Sequence, residues 1–341
     1  MEIKARSSYI RRKDMDSVLN CLVTDDLGPG AFTDRFVKTA KERLGFDYGL
    51  ALRSPIVALE LATSCLGLVP GDSIALSALS PAWAHVAILA KGLRPIWLDV
   101  DTASASLNQA SFYRLKTDQA KALYLAEPWG IMPDPVPLID LGIPIIEDAT
   151  FSIGAKAGEW RAGFLGTFTI LGLEHASSIT AGGGSLLYAA GRREAQTLKN
   201  HADSLSIEER MSDMNAALAL SQIKDLEKFL EKRRELSDLF AQSLARAHRR
   251  PLAAACDCEP SNFGCVVVLE SGVKDVRAYA KKKDVDTVMA FDDTCAAKGL
   301  IEDGSCPVAM SLVNRSLAFP LNQRIGKMAA QKIAKVLATL P

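Results

Sequence analysis

Short apolar strands alternate with helices over the first two thirds of this 341-residue chain, and that alternation constrains its fold more than any other feature. Continuous apolar strands separated by helices are typical of a largely parallel sheet that is covered on both faces. The sequence therefore predicts an α/β fold. The predicted strands are 73–79, 94–100, 122–126, 143–147, 167–173 and 185–189.

Helix signals fall between these strands. Residues 34–44 place apolar side chains on one helical face. Ser54 and Pro55 form a helix start, with the serine as N-cap and the proline at the first helical position. A further helix is predicted over 82–91. In sheets of this kind ligands bind outside the carboxyl ends of the strands, and Asp148 follows one such end.

The character of the sequence changes after Met211. Residues 214–246 predict one long amphipathic helix, and the last hundred residues predict a small α/β domain. We expect a large domain over 1–235 and a small domain over 236–341, joined by that helix. The predicted elements of the small domain are strands 265–269 and 316–319 and helices 276–282 and 326–340.

Composition excludes several classes of protein. Lys and Arg together number 40, as do Asp and Glu, so no net positive charge favours nucleic acid or an anionic membrane. The apolar stretch 56–69 is interrupted by Glu60 and is too short to span a bilayer. The N-terminus has no apolar segment typical of a secretory signal.

The seven cysteines are scattered along the chain. The only close pair is Cys256 and Cys258, and its spacing does not match a zinc knuckle. We interpret the cysteines as free thiols, which indicates a cytoplasmic protein, and we predict no metal site.

Ordered motifs along the whole chain resemble the DegT/StrS-type sugar aminotransferase family, a branch of the fold-type I enzymes that use pyridoxal phosphate (PLP). No motif is specific alone, but their order and spacing together are. The resemblance implies a PLP-transferase-like large domain with a mostly parallel sheet and a small C-terminal α/β domain. The motifs lie at 27–30, 68–72, 92–100, 129–134, 145–149, 210–217 and 315–321.

PLP chemistry needs a lysine for the Schiff base, a carboxylate for the pyridinium nitrogen, donors for the phosphate and a flat group over the ring. The resemblance implies that Asp148 is the pyridinium partner. The family lysine aligns with Ser177, or with Ala176 after a one-residue shift, and no lysine occurs between Arg161 and Arg193. A serine cannot form the Schiff base.

The positions that resemble the family's phosphate cradle have also changed. The helix start that supplies donors reads Ser54, Pro55 and Ile56, so one N–H and one hydroxyl are missing. A further family serine is Gly172 here. The asparagine that reaches across from the partner chain aligns with Glu208, whose charge would repel a phosphate.

Three other side chains have two interpretations each. Trp83 either covers the pocket or packs on its own helix. His175 either occupies the space of the missing lysine, as in a sugar 3-dehydratase branch of the family, or is a surface or second-shell histidine. Glu174 is interpreted as a solvated or capping carboxylate.

Three hypotheses follow. The first is a family member with a degenerate PLP site, a non-catalytic or accessory protein related to sugar nucleotides, with no covalently held cofactor. The second is an enzyme with altered chemistry that binds PLP or a sugar nucleotide reversibly and uses His175 and Asp148. The third is an ordinary aminotransferase that uses a displaced lysine such as Lys156 or Lys199. The resemblance also implies a dimer, either a homodimer or a heterodimer with an active relative.

Overall fold

Thirteen β-strands are found in the parts of the chain that the computed structural model describes, residues 2–24, 27–117, 119–254 and 257–341. The predicted strands 122–126, 185–189 and 316–319 are confirmed to the residue, and the other predicted strands differ by one to two residues at an end. In chain order the strands are β1 (Tyr48–Leu52), β2 (Ser73–Ser77), β3 (Arg94–Leu98), β4 (Ala122–Ala126), β5 (Ile145–Asp148), β6 (Lys156–Ala157), β7 (Trp160–Arg161), β8 (Phe168–Gly172), β9 (Ser185–Ala189), β10 (Cys258–Glu259), β11 (Cys265–Val268), β12 (Val288–Met289) and β13 (Ser316–Phe319).

A seven-stranded sheet forms the centre of the fold, with the strand order β1-β9-β8-β5-β4-β2-β3. β3, β2, β4, β5 and β8 are parallel to one another. β9 is antiparallel to both of its neighbours, so it alone runs against the other strands of this sheet. The predicted α/β class with a mostly parallel sheet is confirmed.

Helices cover this sheet and connect its strands. Ser54 caps the third helix by accepting the Val57 N–H at 3.3 Å, and Pro55 is the first helical residue, as predicted. The α-helices are α1 (Arg12–Val23), α2 (Ala31–Leu44), α3 (Pro55–Cys65), α4 (Ala82–Ala90), α5 (Gln109–Thr117), α6 (Pro135–Ile139), α7 (Arg192–Ala202), α8 (Asp213–Ile223), α9 (Leu226–Arg246), α10 (Val273–Lys282), α11 (Pro307–Arg315) and α12 (Lys327–Leu337).

Strand β2 illustrates why the central strands are apolar throughout. Ile74 and Leu76 pack with Leu59 of α3 in one core cluster. Ala75 between them belongs to a different cluster, with Leu138 of α6. Successive side chains of a strand point to opposite faces, so a sheet that is covered on both faces needs apolar residues at every position.

The prediction of one long helix over 214–246 is wrong. The segment forms two helices, α8 and α9, with a break at Lys224 and Asp225. Asp225 leaves helical geometry and is the N-cap residue of α9, but its side chain accepts no capping hydrogen bond from this helix. Its carboxylate contacts Arg11 and Lys13 of the N-terminal segment, and these ion pairs hold the break in place.

A second, three-stranded sheet in the order β11-β13-β12 carries the C-terminal part of the chain. It packs with α9, α10 and α12 around Leu236, Phe240 and Ile333. The division into domains at residues 235 and 236 stays a prediction. None of the helices in the described ranges is long and apolar enough to cross a membrane. Cys256 lies outside the described residues; Cys65, Cys265, Cys295 and Cys306 are free thiols.

Asp213 caps a helix that is distant from it in sequence, α2. Its buried carboxylate accepts the N–H groups of Gly30, Phe32 and Thr33 at 2.8–3.0 Å. We expect Asp213→Ala to lower the free energy of unfolding by about 2 kcal/mol, because these donors at a helix N-terminus lose their acceptor. Urea denaturation checks this. The exposed Asp238→Ala is the control, and an equal effect of both changes would contradict the assignment.

Candidate functional site

Asp148 is the last residue of β5, and its side chain is buried at the carboxyl edge of the sheet. The Tyr124 hydroxyl donates to Oδ2 at 2.6 Å. The Thr150 backbone N–H donates to Oδ1 at 3.1 Å, and the Thr150 hydroxyl donates to the same oxygen. Burial raises the pKa of Asp148, and these hydrogen bonds partly oppose the rise. Both carboxylate oxygens therefore have donors, one from the neighbouring strand β4 and one from the segment directly after β5.

The loop between β8 and β9 brings Glu174, His175 and Ser177 to the same edge. Ser177 is buried, and its hydroxyl donates to Glu174 at 3.2 Å. Glu174 is half-buried, and burial together with the nearby charge of Asp148 raises its pKa to about 7. The interpretation of Glu174 as a solvated carboxylate is wrong, because the loop turns the side chain inward. His175 is exposed at the rim of the cavity.

Gly172 makes this inward position of Glu174 possible. Its N–H donates to the Thr150 hydroxyl at 2.8 Å. A Cβ atom on residue 172 would lie 2.9 Å from both Glu174 Oε2 and Thr150 Oγ1. A larger residue at this position would therefore displace the Glu174 carboxyl. The resemblance pointed only to a hydroxyl lost at Gly172, whereas the packing gives the glycine a steric role.

Aromatic rings form one wall of the site. Phe151 and Phe263 stack with ring centroids 4.2 Å apart, and Trp129 lies 5.8 Å from Phe263. The Trp129 backbone has φ +56°, an uncommon value for a non-glycine residue, and its indole N–H donates to the Ala290 carbonyl at 3.1 Å. Trp83 meets the ring of Tyr124 edge to face at 6.0 Å.

These groups surround a cavity of about 470 Å³ at the carboxyl ends of β2, β4, β5 and β8. That volume suits a small organic ligand. Arg6 and Arg233 are the two guanidinium groups among the described residues that line it. The carboxyl groups that line it are those of Glu127, Asp148, Glu174, Asp292 and Asp293.

The cavity brings together four of the residues predicted from the sequence, Asp148, Trp83, His175 and Ser177. Trp83 lines the cavity and packs edge to face on Tyr124 of β4, and its position over a bound ring stays a prediction. Gly172 lies directly beside them. Their roles in binding or catalysis stay predictions.

The other predicted residues, Ser54, Pro55, Ile56 and Glu208, are not among the described residues that line this cavity. Ser54 accepts the Val57 N–H through its hydroxyl and the Ala58 N–H, at 3.2 Å, through its carbonyl. Since Pro55 has no N–H, these bonds leave the N–H of Ile56 as the donor in the first turn of α3.

Glu208 is exposed on the surface near this helix start. Its carboxylate lies 3.6 Å from the guanidinium of Arg53, the residue before Ser54. The negative charge of Glu208 is thus directed at an arginine of the same chain. An ion pair this exposed contributes little stability.

The described residues that line the cavity suit the pyridinium nitrogen of PLP. They do not include the lysine to which PLP is normally attached. Asp148 suits a pyridinium nitrogen. No lysine occurs among the described residues that line the cavity, so they do not fit a cofactor held through a lysine Schiff base. Lys156 lies in β6 and Lys199 in α7, and both are exposed outside the cavity.

Glu127 and Glu147 form a buried pair of carboxyl groups that the sequence analysis did not assign to the site. Glu147 accepts the N–H groups of Gly163, Leu165 and Gly166 at 2.6–2.9 Å. Burial nevertheless raises the pKa of Glu147 to about 7. Burial also raises the pKa of Glu127, and the adjacent Glu147 carboxyl raises it further. The signal in the sequence was a charged residue directly after the buried strand β4.

Comparison with known proteins agrees with this fold. The GDP-perosamine synthase of Caulobacter vibrioides is 24% identical over 257 residues, which cover 70% of this chain and 68% of that protein. The dTDP-4-dehydro-2,3,6-trideoxy-D-glucose 4-aminotransferase of Saccharopolyspora spinosa is 25% identical over 274 residues, which cover 71% of each chain.

Solved structures of aminotransferases have the same fold. TlmJ from Streptoalloteichus hindustanus superposes with a TM-score of 0.88 at 20% identity, over 99% of this chain and 98% of TlmJ. The sugar aminotransferase CalS13 from Micromonospora echinospora superposes with a TM-score of 0.86 at 16% identity, over 98% of this chain and 99% of CalS13. The sequence profile of the DegT/DnrJ/EryC1/StrS aminotransferase family matches residues 8–338. The chain therefore belongs to the DegT/DnrJ/EryC1/StrS aminotransferase family.

Proposed function

We propose that this chain is a family member that binds a small molecule in the cavity without forming a Schiff base, and that it serves as an accessory protein in the metabolism of nucleotide sugars. The observation that carries the proposal is the cavity itself. It contains Asp148 and Ser177, and no lysine is found among its described lining residues.

The surroundings of Asp148 support the same proposal. Both of its oxygens accept hydrogen bonds from Tyr124 and Thr150, so the carboxyl is stable without a pyridinium partner. Glu174 adds a second carboxyl where the family has its lysine loop. In this proposal Ser177 occupies the position of the family lysine. The positions that correspond to the family's phosphate-binding residues, and that have lost this role here, are Ser54, Pro55, Ile56, Gly172 and Glu208.

Relatives act on nucleotide-linked sugars, as the name GDP-perosamine synthase states, and that context supports a related role here. The proposal includes a cytoplasmic location and a dimer, with a second copy or with an active relative. Light scattering of the purified chain, alone and mixed with such a relative, tests the dimer. A monomer in both samples would contradict it.

A second candidate function is an enzyme with altered chemistry, in which His175 acts in place of the lysine. The observation that favours it is that His175 and Asp148 line one cavity. An imidazole that is exposed at the rim is within reach of a ligand in the cavity and is a side chain that commonly acts as a general acid or base. A ligand-dependent activity that His175→Gln abolishes, with binding retained, would favour this candidate.

Titration of the purified protein with PLP tests the accessory function. We expect no saturable change in visible absorbance, because the described lining of the cavity contains no lysine amine and the phosphate donors are few. The control is Ser177→Lys, which restores an amine beside Asp148 and is expected to produce the absorbance band of a lysine adduct. A saturable band with the unmodified protein would overturn the proposal.

A further inference from the structure

Carboxyl groups outnumber guanidinium groups in the lining of the cavity. Of its five carboxyl groups, Asp292 pairs with Arg6 at 2.8 Å, and Asp293 pairs with Lys298 outside the cavity at 3.3 Å. The other cation of the lining, Arg233, directs its guanidinium to the carbonyl oxygens of Phe263 and Leu321.

Three carboxyl groups remain without a cationic partner in the described part of the chain, namely those of Glu127, Asp148 and Glu174. Their donors are hydroxyl and backbone N–H groups. Glu127 is only 2% exposed, and its Oε1 has no hydrogen-bond partner among the described residues. Several carboxyl groups held together in a buried site destabilise one another's charged forms, and a cation relieves this repulsion.

The side chain at residue 177 determines whether the protein supplies that cation itself. Ser177 is buried beside Glu174, and its hydroxyl is too short to occupy the space that a lysine side chain would fill. The guanidinium groups of Arg6 and Arg233 lie over the rings of Trp129 and Phe263, so they are directed at the aromatic wall. The unpaired carboxyl groups and the space beside Ser177 therefore favour a positively charged organic group.

We propose that the cavity binds a small primary ammonium compound, with its ammonium group between Asp148 and Glu174 beside Ser177. This inference rests on the proposed function, because a lysine in the cavity would already fill the position. Three N–H donors of an ammonium group match the facing carboxyl oxygens and the Ser177 hydroxyl. An anionic ligand would meet the same carboxylates and be repelled.

Binding of the ammonium group is linked to a proton on Glu174. The ionisable groups that face Glu174 are Tyr124 of β4, Asp148 from the end of β5, Asp293 from the segment after β12 and His175 from its own loop. The two aspartates favour the protonated form of Glu174 in the free protein, and a bound ammonium favours the ionised form. Binding therefore releases a proton and tightens as the pH rises through neutrality.

The test uses butylammonium as the probe, with butanol and butyrate as its neutral and anionic isosteres. Calorimetry on the full chain measures binding, and the fluorescence of Trp83 and Trp129 supplies a second readout. We expect saturable binding of butylammonium alone, about tenfold tighter near pH 8 than near pH 6 as one proton is released. Equal binding of butanol would show an apolar pocket without charge selection, and equal competition by K⁺ would show a nonspecific cation effect; either result would overturn the inference.

Two variants test where in the cavity the ammonium group binds. Glu174→Gln should weaken binding about tenfold and remove its pH dependence, whereas the exposed Glu270→Gln should change neither. Ser177→Lys should abolish binding, because its own ammonium group takes the position. Unchanged binding in both cavity variants would contradict the inference. The proposed function fails if the unmodified protein gives a saturable band or an adduct with PLP, a result that does not depend on butylammonium binding, so the two failures are distinguishable.

Discussion

Replacement of Gly130 with alanine is expected to lower the free energy of unfolding by about 3 kcal/mol, the sum of backbone strain and overpacking. Gly130 has φ +84°, a left-handed conformation that costs an alanine energy. A Cβ atom there would lie 2.1 Å from Ser261 Oγ and 3.0 Å from the Phe151 carbonyl oxygen. Ser261 is buried and has no room to withdraw, so the aromatic wall of the cavity would have to shift.

Gly142→Ala is a matched control for this effect. Gly142 has a similar backbone, with φ +68°, but a Cβ atom there would have nothing within 4 Å. We expect Gly142→Ala to lower the free energy of unfolding by only about 1 kcal/mol, the part that comes from backbone strain. Denaturant unfolding of the two variants separates backbone strain from packing. Equal losses would contradict the close packing described behind the cavity wall.

The stability of the protein is expected to fall as the pH rises from about 5 to about 8. Glu147 holds its proton in the native state up to a pKa of about 7, whereas an unfolded glutamate releases it near 4.5. Between these values the native state binds more protons, so raising the pH favours unfolding. The shift of Glu147 alone corresponds to a loss of about 3 kcal/mol.

Other titratable side chains also affect how the stability of the protein depends on pH. Burial raises the pKa of Glu127 and Asp148, so they act in the same sense as Glu147. Burial lowers the pKa of His85, which opposes them only as the pH falls below about 6.5. The lowered pKa of Asp225, about 2, affects stability only under more acidic conditions.

Urea midpoints at several pH values check this prediction. Glu127→Gln should reduce the dependence by about half, because a second buried carboxyl group with a raised pKa is removed and the amide oxygen still accepts from Ser152. The exposed Glu270→Gln should leave it unchanged. Stability that rises over this pH range would contradict the assignment of protonated buried carboxyl groups.

The central sheet could be predicted from the sequence because its strands are apolar at nearly every position. Strand β4, with the sequence Ala-Leu-Tyr-Leu-Ala, is an example. The break between α8 and α9 could not be predicted in this way. Lys224 and Asp225 suit a solvated helix face, and the break depends on ion pairs with Arg11 and Lys13, more than two hundred residues away in sequence.

The site could be predicted in part. The position of Asp148 followed from its place at the end of a buried strand. The inward position of Glu174 did not, because it depends on Gly172 and Thr150 leaving space for the carboxyl. Glu127 directly follows β4 and Glu147 lies in β5, and their contact requires the pairing of β4 with β5, which no local pattern encodes.

Borohydride reduction in the presence of PLP, followed by peptide mass mapping, tests the central claim most directly. The claim is that no lysine is found among the described residues that line the cavity holding Asp148. At low PLP concentration we expect only weak, scattered labelling of surface lysines in the unmodified protein, and one dominant adduct at position 177 in Ser177→Lys. A stoichiometric pyridoxyl adduct on a single native lysine, such as Lys156 or Lys199, would contradict the claim and identify an active PLP site.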